Sequence, residues 1–140
     1  MTEQQIADLV EAFLPPYARE LGIGLDHIEH GAPVLALEFG ERVEGRPGYL
    51  HGGSTSGLLE IAGYAALRAH LASEGREERA KPVNITVQFL RGAGSQTTFA
   101  RGRVTRAGGR TSNVDVEAWQ GNRAKPVATA VLNFLLVDPA

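Results

Sequence analysis

The sequence contains no cysteine, which excludes a disulfide framework and metal sites built from thiolates. Aromatic residues make up only 6% of the chain, so the stacking platforms that bind nucleic-acid bases are scarce. The most apolar stretch, residues 57–67, is interrupted by Glu60 and is too short to span a bilayer. Residues 1–11 carry acidic and no basic side chains, unlike a secretory signal. We therefore expect a cytoplasmic protein without a nucleic-acid or membrane partner.

Charge is unevenly distributed along the chain. Residues 1–90 hold 7 basic and 13 acidic side chains, whereas residues 91–140 hold 7 basic and 3 acidic ones. An arginine-rich, acid-poor segment could attract a phosphorylated ligand. The alternative, equally open from the sequence, is that these arginines decorate the solvated face of a sheet.

The hydrophobic pattern predicts a single α+β domain over residues 1–140, with residues 1–21 as an N-terminal helical extension. Period-2 alternation predicts strands, with that at 83–89 half-buried, and Gly-rich or charged segments predict the connections. Pro15 and Pro16 should end the first helix. The strand at 127–137 is apolar enough to be covered on both faces. The predicted helices are residues 3–14 and 54–72, the predicted strands are 22–29, 33–39, 83–89, 97–106, 111–120 and 127–137, and loops are predicted at 40–50 and 73–81.

The helix predicted at 54–72 is apolar on nearly every side, which is typical of a buried helix. A curled antiparallel sheet around it would cover such a helix. Glu60 is the one ionisable carboxylate in its apolar middle. Since burial of an unpaired carboxylate is costly, Glu60 should pair with an arginine, face water in a groove, or act as a base or nucleophile.

A loop with the sequence His51-Gly52-Gly53 directly precedes this helix. Backbone N–H groups at a helix start lack partners within the helix and lie at the positive end of its dipole. Such groups can polarise a carbonyl oxygen, although two glycines can also serve turn geometry alone. The pattern gains weight because Glu60 follows His51 by nine residues.

The segment HGGSTSGLLEIAGYAAL resembles the start of the central helix in hot-dog acyl-CoA thioesterases, and most closely the phenylacetic-acid-degradation (PaaI-like) type. The resemblance extends over roughly residues 30–137. It includes the strands VNITVQFLR, GRVTRAGGRTSNVDVE and VATAVLNFLLV. It implies a hot-dog fold, in which a long central helix is wrapped by a curled antiparallel sheet.

The resemblance also implies an activity, the hydrolysis of an aryl- or medium-chain acyl-CoA to a free acid and coenzyme A. Glu60 matches the family's nucleophile or general base, and Gly53 with Gly52 matches the backbone donors to the thioester carbonyl. His51 matches the motif histidine. Family members are homodimers or dimers of dimers whose sites lie between subunits. Coenzyme A enters as part of the substrate, and no metal or other cofactor is implied.

Other residues are candidates for substrate contact. Tyr64, one helical turn after Glu60, lies on the same face of the helix and could contact substrate or pack as an ordinary aromatic. Arg91, Arg106 and Arg110 are candidates for the nucleotide of coenzyme A on charge alone.

The chain departs from the family pattern at Gly45. Many relatives carry an asparagine or glutamine six residues before the histidine, where it holds the nucleophilic water. Here that position is a glycine, so the role is unassigned and a non-catalytic protein that binds acyl-CoA or aromatic ligands stays open. A hydratase or dehydratase of the same fold is a further alternative.

Two other groups of polar residues are weaker candidates for a catalytic or metal site. The hydroxyls at residues 54–56 lie at a helix start, where they commonly cap. His27, His30 and His70 show no metal-ligand spacing with acidic residues, so we expect them at the surface or in loops.

Overall fold

The chain begins with two helices, α1 (Glu3–Phe13) and α2 (Pro16–Leu21), in the computed structural model, which describes residues 1–139. Ala140, the last residue of the predicted domain, lies outside the described residues. Thr2 caps α1 by accepting the Gln5 N–H, while the Gln5 side chain accepts the Thr2 N–H. Pro15 separates the helices, and Gly22 ends α2 in a left-handed conformation (φ 80°).

A six-stranded antiparallel sheet follows, with its strands in the order β1-β2-β4-β5-β6-β3. This sheet curls around one long helix, α3 (Gly52–Ser73), which confirms the predicted hot-dog fold. The strands are β1 (Ile23–Glu29), β2 (Ala32–Leu37), β3 (Arg79–Phe89), β4 (Thr98–Ala107), β5 (Thr111–Trp119) and β6 (Ala128–Val137).

The core lies between α3 and the concave face of the sheet. Leu58, Leu59 and Leu67 are fully buried there. The helix approaches the sheet closely at Gly102, where a Cβ atom would lie 2.7 Å from the Ala66 Cβ. Only glycine permits this contact, so the helix axis is fixed against β4. None of the described helices is long and apolar enough to cross a membrane.

The predicted helices and strands are confirmed, and a short 3-10 helix (Glu41–Val43) lies inside the predicted loop at 40–50. Three other expectations were wrong. Residues 79–81, predicted as loop, belong to β3, because they continue the pairing with β6 as far as Val137. β6 is covered on one face only, and Val131 and Leu135 point outwards. β3, expected to be half-buried, is exposed over most of its length, with Val83 68% and Phe89 58% exposed.

Helix α3 is also less uniformly buried than its composition suggests. Four residues at four-residue spacing form a half-buried stripe along it: Ser56, Glu60, Tyr64 and Arg68. Within this stripe, the Tyr64 ring packs near Phe134 of β6, with ring centroids 6.2 Å apart. At Tyr64 the stripe therefore contacts both β6, the neighbour of the exposed edge strand β3, and Phe13 of α1.

Candidate active site

A tight turn lies just before the start of helix α3. Arg46-Pro47-Gly48-Tyr49 forms a type II β-turn, in which the Tyr49 N–H donates to the Arg46 carbonyl at 3.0 Å. Gly48 occupies the position that requires a positive φ, here 85°. The turn brings its first and last residues together, so that the Arg46 guanidinium lies 3.9 Å from the centre of the Tyr49 ring.

His51 is the N-cap of helix α3, and its side chain determines which backbone donor is available. Its Nδ1 accepts a hydrogen bond from the Gly53 N–H at 2.8 Å. The His51 carbonyl accepts from Ser54 and Thr55, as expected at a helix start. Among residues 1–139, the Gly52 N–H has no backbone or side-chain acceptor, and Gly52 is exposed. Of the two glycines, Gly52 therefore presents the free N–H group at the positive end of the helix dipole.

Glu60 lies two turns further along the helix, roughly 10 Å from Gly53 along the axis. Its side chain is half-buried and makes no hydrogen bond or ion pair with any residue that the structure describes. One turn on, Tyr64 packs edge-to-face against Phe13 of α1, with centroids 5.1 Å apart. Glu60 is thus an unpaired carboxylate beside an aromatic cluster of Phe13, Tyr64 and Phe134.

A cavity of about 380 Å³ opens beside the start of α3. Its walls carry two guanidinium groups, those of Arg46 and Arg91, and neither has a carboxylate partner within the described chain. The Gly52 backbone and the Phe89 ring line the same cavity. The space is therefore positively charged near the free N–H group.

The predicted arginines do not all meet at this place. Arg91 lines the cavity, whereas Arg106 and Arg110 flank the turn between β4 and β5, near the C-terminal end of α3. The turn is anchored there by Arg76, which donates to the Gly108 carbonyl at 2.8 Å. Ten residues of β4 separate the two locations, roughly 30 Å of extended chain. Sequence reasoning missed Arg46, although the R-P-G-Y turn signal predicts its contact with Tyr49.

The backbone at Gly45 explains why no side chain occurs at this position. A Cβ atom on Gly45 would lie 2.9 Å from the Cα of His51, closer than real side chains approach. Both neighbours are also engaged, because Glu44 accepts the Gly48 N–H at 2.7 Å and Arg46 stacks on Tyr49. This loop cannot supply a water-positioning amide in the conformation observed.

The largest ion-pair network lies away from this region, on the outer face of the sheet. Arg123 donates to both carboxylate oxygens of Glu29, at 2.6 and 2.8 Å, and to Glu117 at 3.1 Å. The hydrogen bond from Arg123 holds the pKa of Glu29 below its ordinary value of 4.5, and the charges of Arg123 and Arg101 act in the same direction against partial burial. This network joins β1 to the connection between β5 and β6.

The sequence profile of the thioesterase superfamily matches residues 47–127, more than half of the chain and including the His-Gly-Gly loop, the central helix and Glu60. The chain belongs to this superfamily. It is a thioester hydrolase with the hot-dog fold. A search of curated proteins finds no match to the sequence.

Solved structures of other proteins share the fold along nearly the whole chain. A protein from Chromobacterium violaceum is 33% identical, covering 96% of this chain and 97% of its own, with a TM-score of 0.72. The PaaI protein of the Escherichia coli phenylacetic acid degradation operon is 21% identical over 99% and 95% of the chains, with a TM-score of 0.81. A thioesterase from Haemophilus influenzae is 19% identical over 99% and 92%, with a TM-score of 0.82.

Proposed function

We propose that the protein hydrolyses an acyl-CoA in a site shared by two copies of the chain. The Gly52 N–H of one copy would polarise the thioester carbonyl, and Glu60 of the other would activate water or attack the carbonyl carbon. The observation that carries this proposal is Glu60, a half-buried carboxylate without a partner in the described chain. It lies one helical turn before Tyr64, which packs against β6 next to the edge strand β3.

The edge strand β3 supports a second copy as the missing neighbour. Within the part of the chain that the structure describes, it pairs only with β6, so the backbone groups along its other edge are open to a further strand. On the face that continues the core, Ile85 and Phe89 extend beyond the cover of helix α3 and are 37% and 58% exposed. Edge pairing of two β3 strands would bury these side chains. It would also bring Glu60 of each copy towards the start of helix α3 in the other copy. A dimer of dimers would use other surfaces.

The chemistry needs only these groups and water. As a base, Glu60 takes a proton from water while the water oxygen bonds to the carbonyl carbon, and the negative charge gathers on the oxygen that the Gly52 N–H stabilises. Collapse of this adduct breaks the C–S bond and returns the proton to the leaving thiolate. If Glu60 attacks directly, an anhydride forms first and water hydrolyses it.

Coenzyme A is supported as the thiol by the charge of the cavity beside Gly52. Arg46 and Arg91 are two cations without a carboxylate partner among residues 1–139, and guanidinium groups bind phosphates through paired hydrogen bonds. The aromatic cluster beside Glu60 supports an aryl or medium-chain acyl group, since Tyr64 and Phe13 offer apolar ring surface.

A thiol-release assay over aryl-CoA esters and short to long acyl-CoA esters tests this function. We expect turnover that is lost in Glu60→Gln, because the amide can neither accept the proton nor attack. Glu38→Gln, which removes an exposed carboxylate from the end of β2, is the matched control and should keep full activity. Tight binding of esters without turnover would instead favour a binding protein.

A further inference from the structure

The ring of Tyr17 lies against helix α3 at a position that only glycine leaves free. A Cβ atom on Gly57 would lie 2.5 Å from the Tyr17 hydroxyl oxygen and 3.2 Å from the ring carbon that bears it. The phenol therefore rests directly on the helix backbone. The Tyr17 hydroxyl has no hydrogen-bond partner among residues 1–139, and the side chain is 50% exposed.

This contact brings the hydroxyl close to Glu60. Gly57 and Glu60 are three residues apart on the helix, so their Cβ positions are separated by roughly 5–6 Å. On the other side of Glu60, Phe13 contacts Tyr64. The N-terminal helices thus run along α3 and place one aromatic residue before Glu60 and one after it.

A water molecule at Glu60 needs a second hydrogen-bond partner to hold it in one orientation. One hydrogen points to the carboxylate, and the other requires an acceptor if a lone pair is to face the carbonyl carbon. The close approach of Gly45 to His51 leaves no room for a side-chain amide that would supply it. Two hydrogen bonds through one water span about 5 Å, the scale of the helical spacing between the Gly57 position, on which the Tyr17 hydroxyl rests, and the Glu60 Cβ.

We propose that Tyr17 is a positioning residue, whose hydroxyl oxygen accepts one hydrogen of the attacking water while Glu60 of the same chain accepts the other. This inference rests on the function proposed above. The proton that leaves the water goes to Glu60, and Tyr17 keeps its own proton throughout. The hydroxyl enters the site from helix α2, outside the segment that the superfamily profile matches.

The test is steady-state hydrolysis of the best acyl-CoA by Tyr17→Phe, which removes the hydroxyl and keeps the ring. We expect kcat to fall about ten- to a hundredfold with KM close to wild type, because substrate contacts are retained while the water loses its orientation. The melting temperature should stay unchanged. Glu20→Gln, an exposed change on the same helix, is the control and should match wild type in both constants.

Gly57→Ala provides a second variant that leaves Tyr17 intact. Its methyl group would occupy the place of the phenol oxygen and displace it, while alanine favours the helix. We expect a similar fall in kcat, and the double variant should be no worse than either single one, because both remove the same contact.

Wild-type kcat in Tyr17→Phe would overturn the proposal, and so would an effect on KM alone, which would indicate contact with substrate. Wild-type protein that cleaves no ester would instead contradict the proposed function, and this inference would fail with it.

Discussion

His51 and Gly53 form a closed pair at the start of the central helix, where the imidazole Nδ1 accepts the Gly53 N–H at 2.8 Å. The bond requires an unprotonated Nδ1, so the imidazole hydrogen lies on Nε2. It satisfies one of the orphan donors of the helix and leaves the Gly52 N–H as the group that can meet a substrate. The motif histidine is therefore first a helix cap.

The capping role predicts how substitutions at His51 rank. Asparagine is a preferred N-cap and can accept the same N–H, whereas alanine cannot. We expect His51→Asn to have a melting temperature close to that of wild type and to keep most of kcat. His51→Ala should lose about 1 kcal/mol of unfolding free energy together with activity. Both are measured by thermal unfolding and thiol release. Equal loss of kcat in the two variants, with stability retained in Asn, would show direct chemistry by the imidazole.

The role of the Gly52 N–H as a donor to the substrate carbonyl can be tested with a proline, which has no N–H. Proline is favoured at the first position of a helix, and His51 already has the extended conformation (ψ 139°) that a residue before proline requires. We expect Gly52→Pro to fold and to lose about 10²- to 10³-fold in kcat, the usual cost of one oxyanion donor.

Gly52→Ala is the matched control, because it adds a methyl group but keeps the N–H. A Cβ atom here would contact the Phe89 ring at 3.4 Å, an ordinary packing distance. The alanine variant should retain much of the activity. A proline variant as active as the alanine variant would remove Gly52 from the mechanism.

The arginines of the cavity predict selectivity for the nucleotide part of the substrate. Arg46→Ala and Arg91→Ala should each raise KM for an acyl-CoA about tenfold, the loss of one charged hydrogen bond. The matching acyl-pantetheine, which lacks the nucleotide, should be hydrolysed by these variants as by wild type. Arg103→Ala, on the exposed outer face, is the control. A KM effect in Arg106→Ala or Arg110→Ala instead would place the nucleotide at the hairpin between β4 and β5.

The Glu29 network predicts how stability depends on pH. Because contacts with Arg123 lower the pKa of Glu29 in the folded state, its stabilising effect is present above pH 4.5 and is lost as the pH falls through the lowered value. We expect Glu29→Gln to lower the melting temperature at pH 7. On acidification, the melting temperature of this variant should fall less than that of wild type. Asp115→Asn, in an exposed ion pair, is the control. Parallel melting curves against pH would contradict this account.

Much of the fold follows from local patterns in the sequence. The alternation in β4 and β5 and the apolar run of α3 predict those elements to within two residues. What the patterns do not contain is the position of β3 at the sheet edge. The same alternation, Val83 to Phe89, would suit a central strand, and only the sheet order shows that its apolar face is open. Exposure of a strand depends on its neighbours, which a local pattern does not specify.

The candidate site shows the same division. Spacing from His51 selects Glu60 as a candidate, and helix geometry adds Tyr64 as another. Tyr17 could not be found this way, because its contact with Gly57 joins two helices that are far apart in sequence. The charge distribution made Arg91 and Arg106 equal candidates for the nucleotide, although they lie far apart. A count of charges does not show which end of a strand lies next to the start of helix α3.

Mixing two inactive variants tests the shared site most directly. Glu60→Gln and Gly52→Pro are refolded or co-expressed together, and hydrolysis is measured against each variant alone. If the two groups come from different copies, each heterodimer contains one intact site, so a random mixture should recover about a quarter of the wild-type rate. Recovery no greater than the sum of the separate variants, in a mixture shown to contain heterodimers, would contradict a site built from two chains.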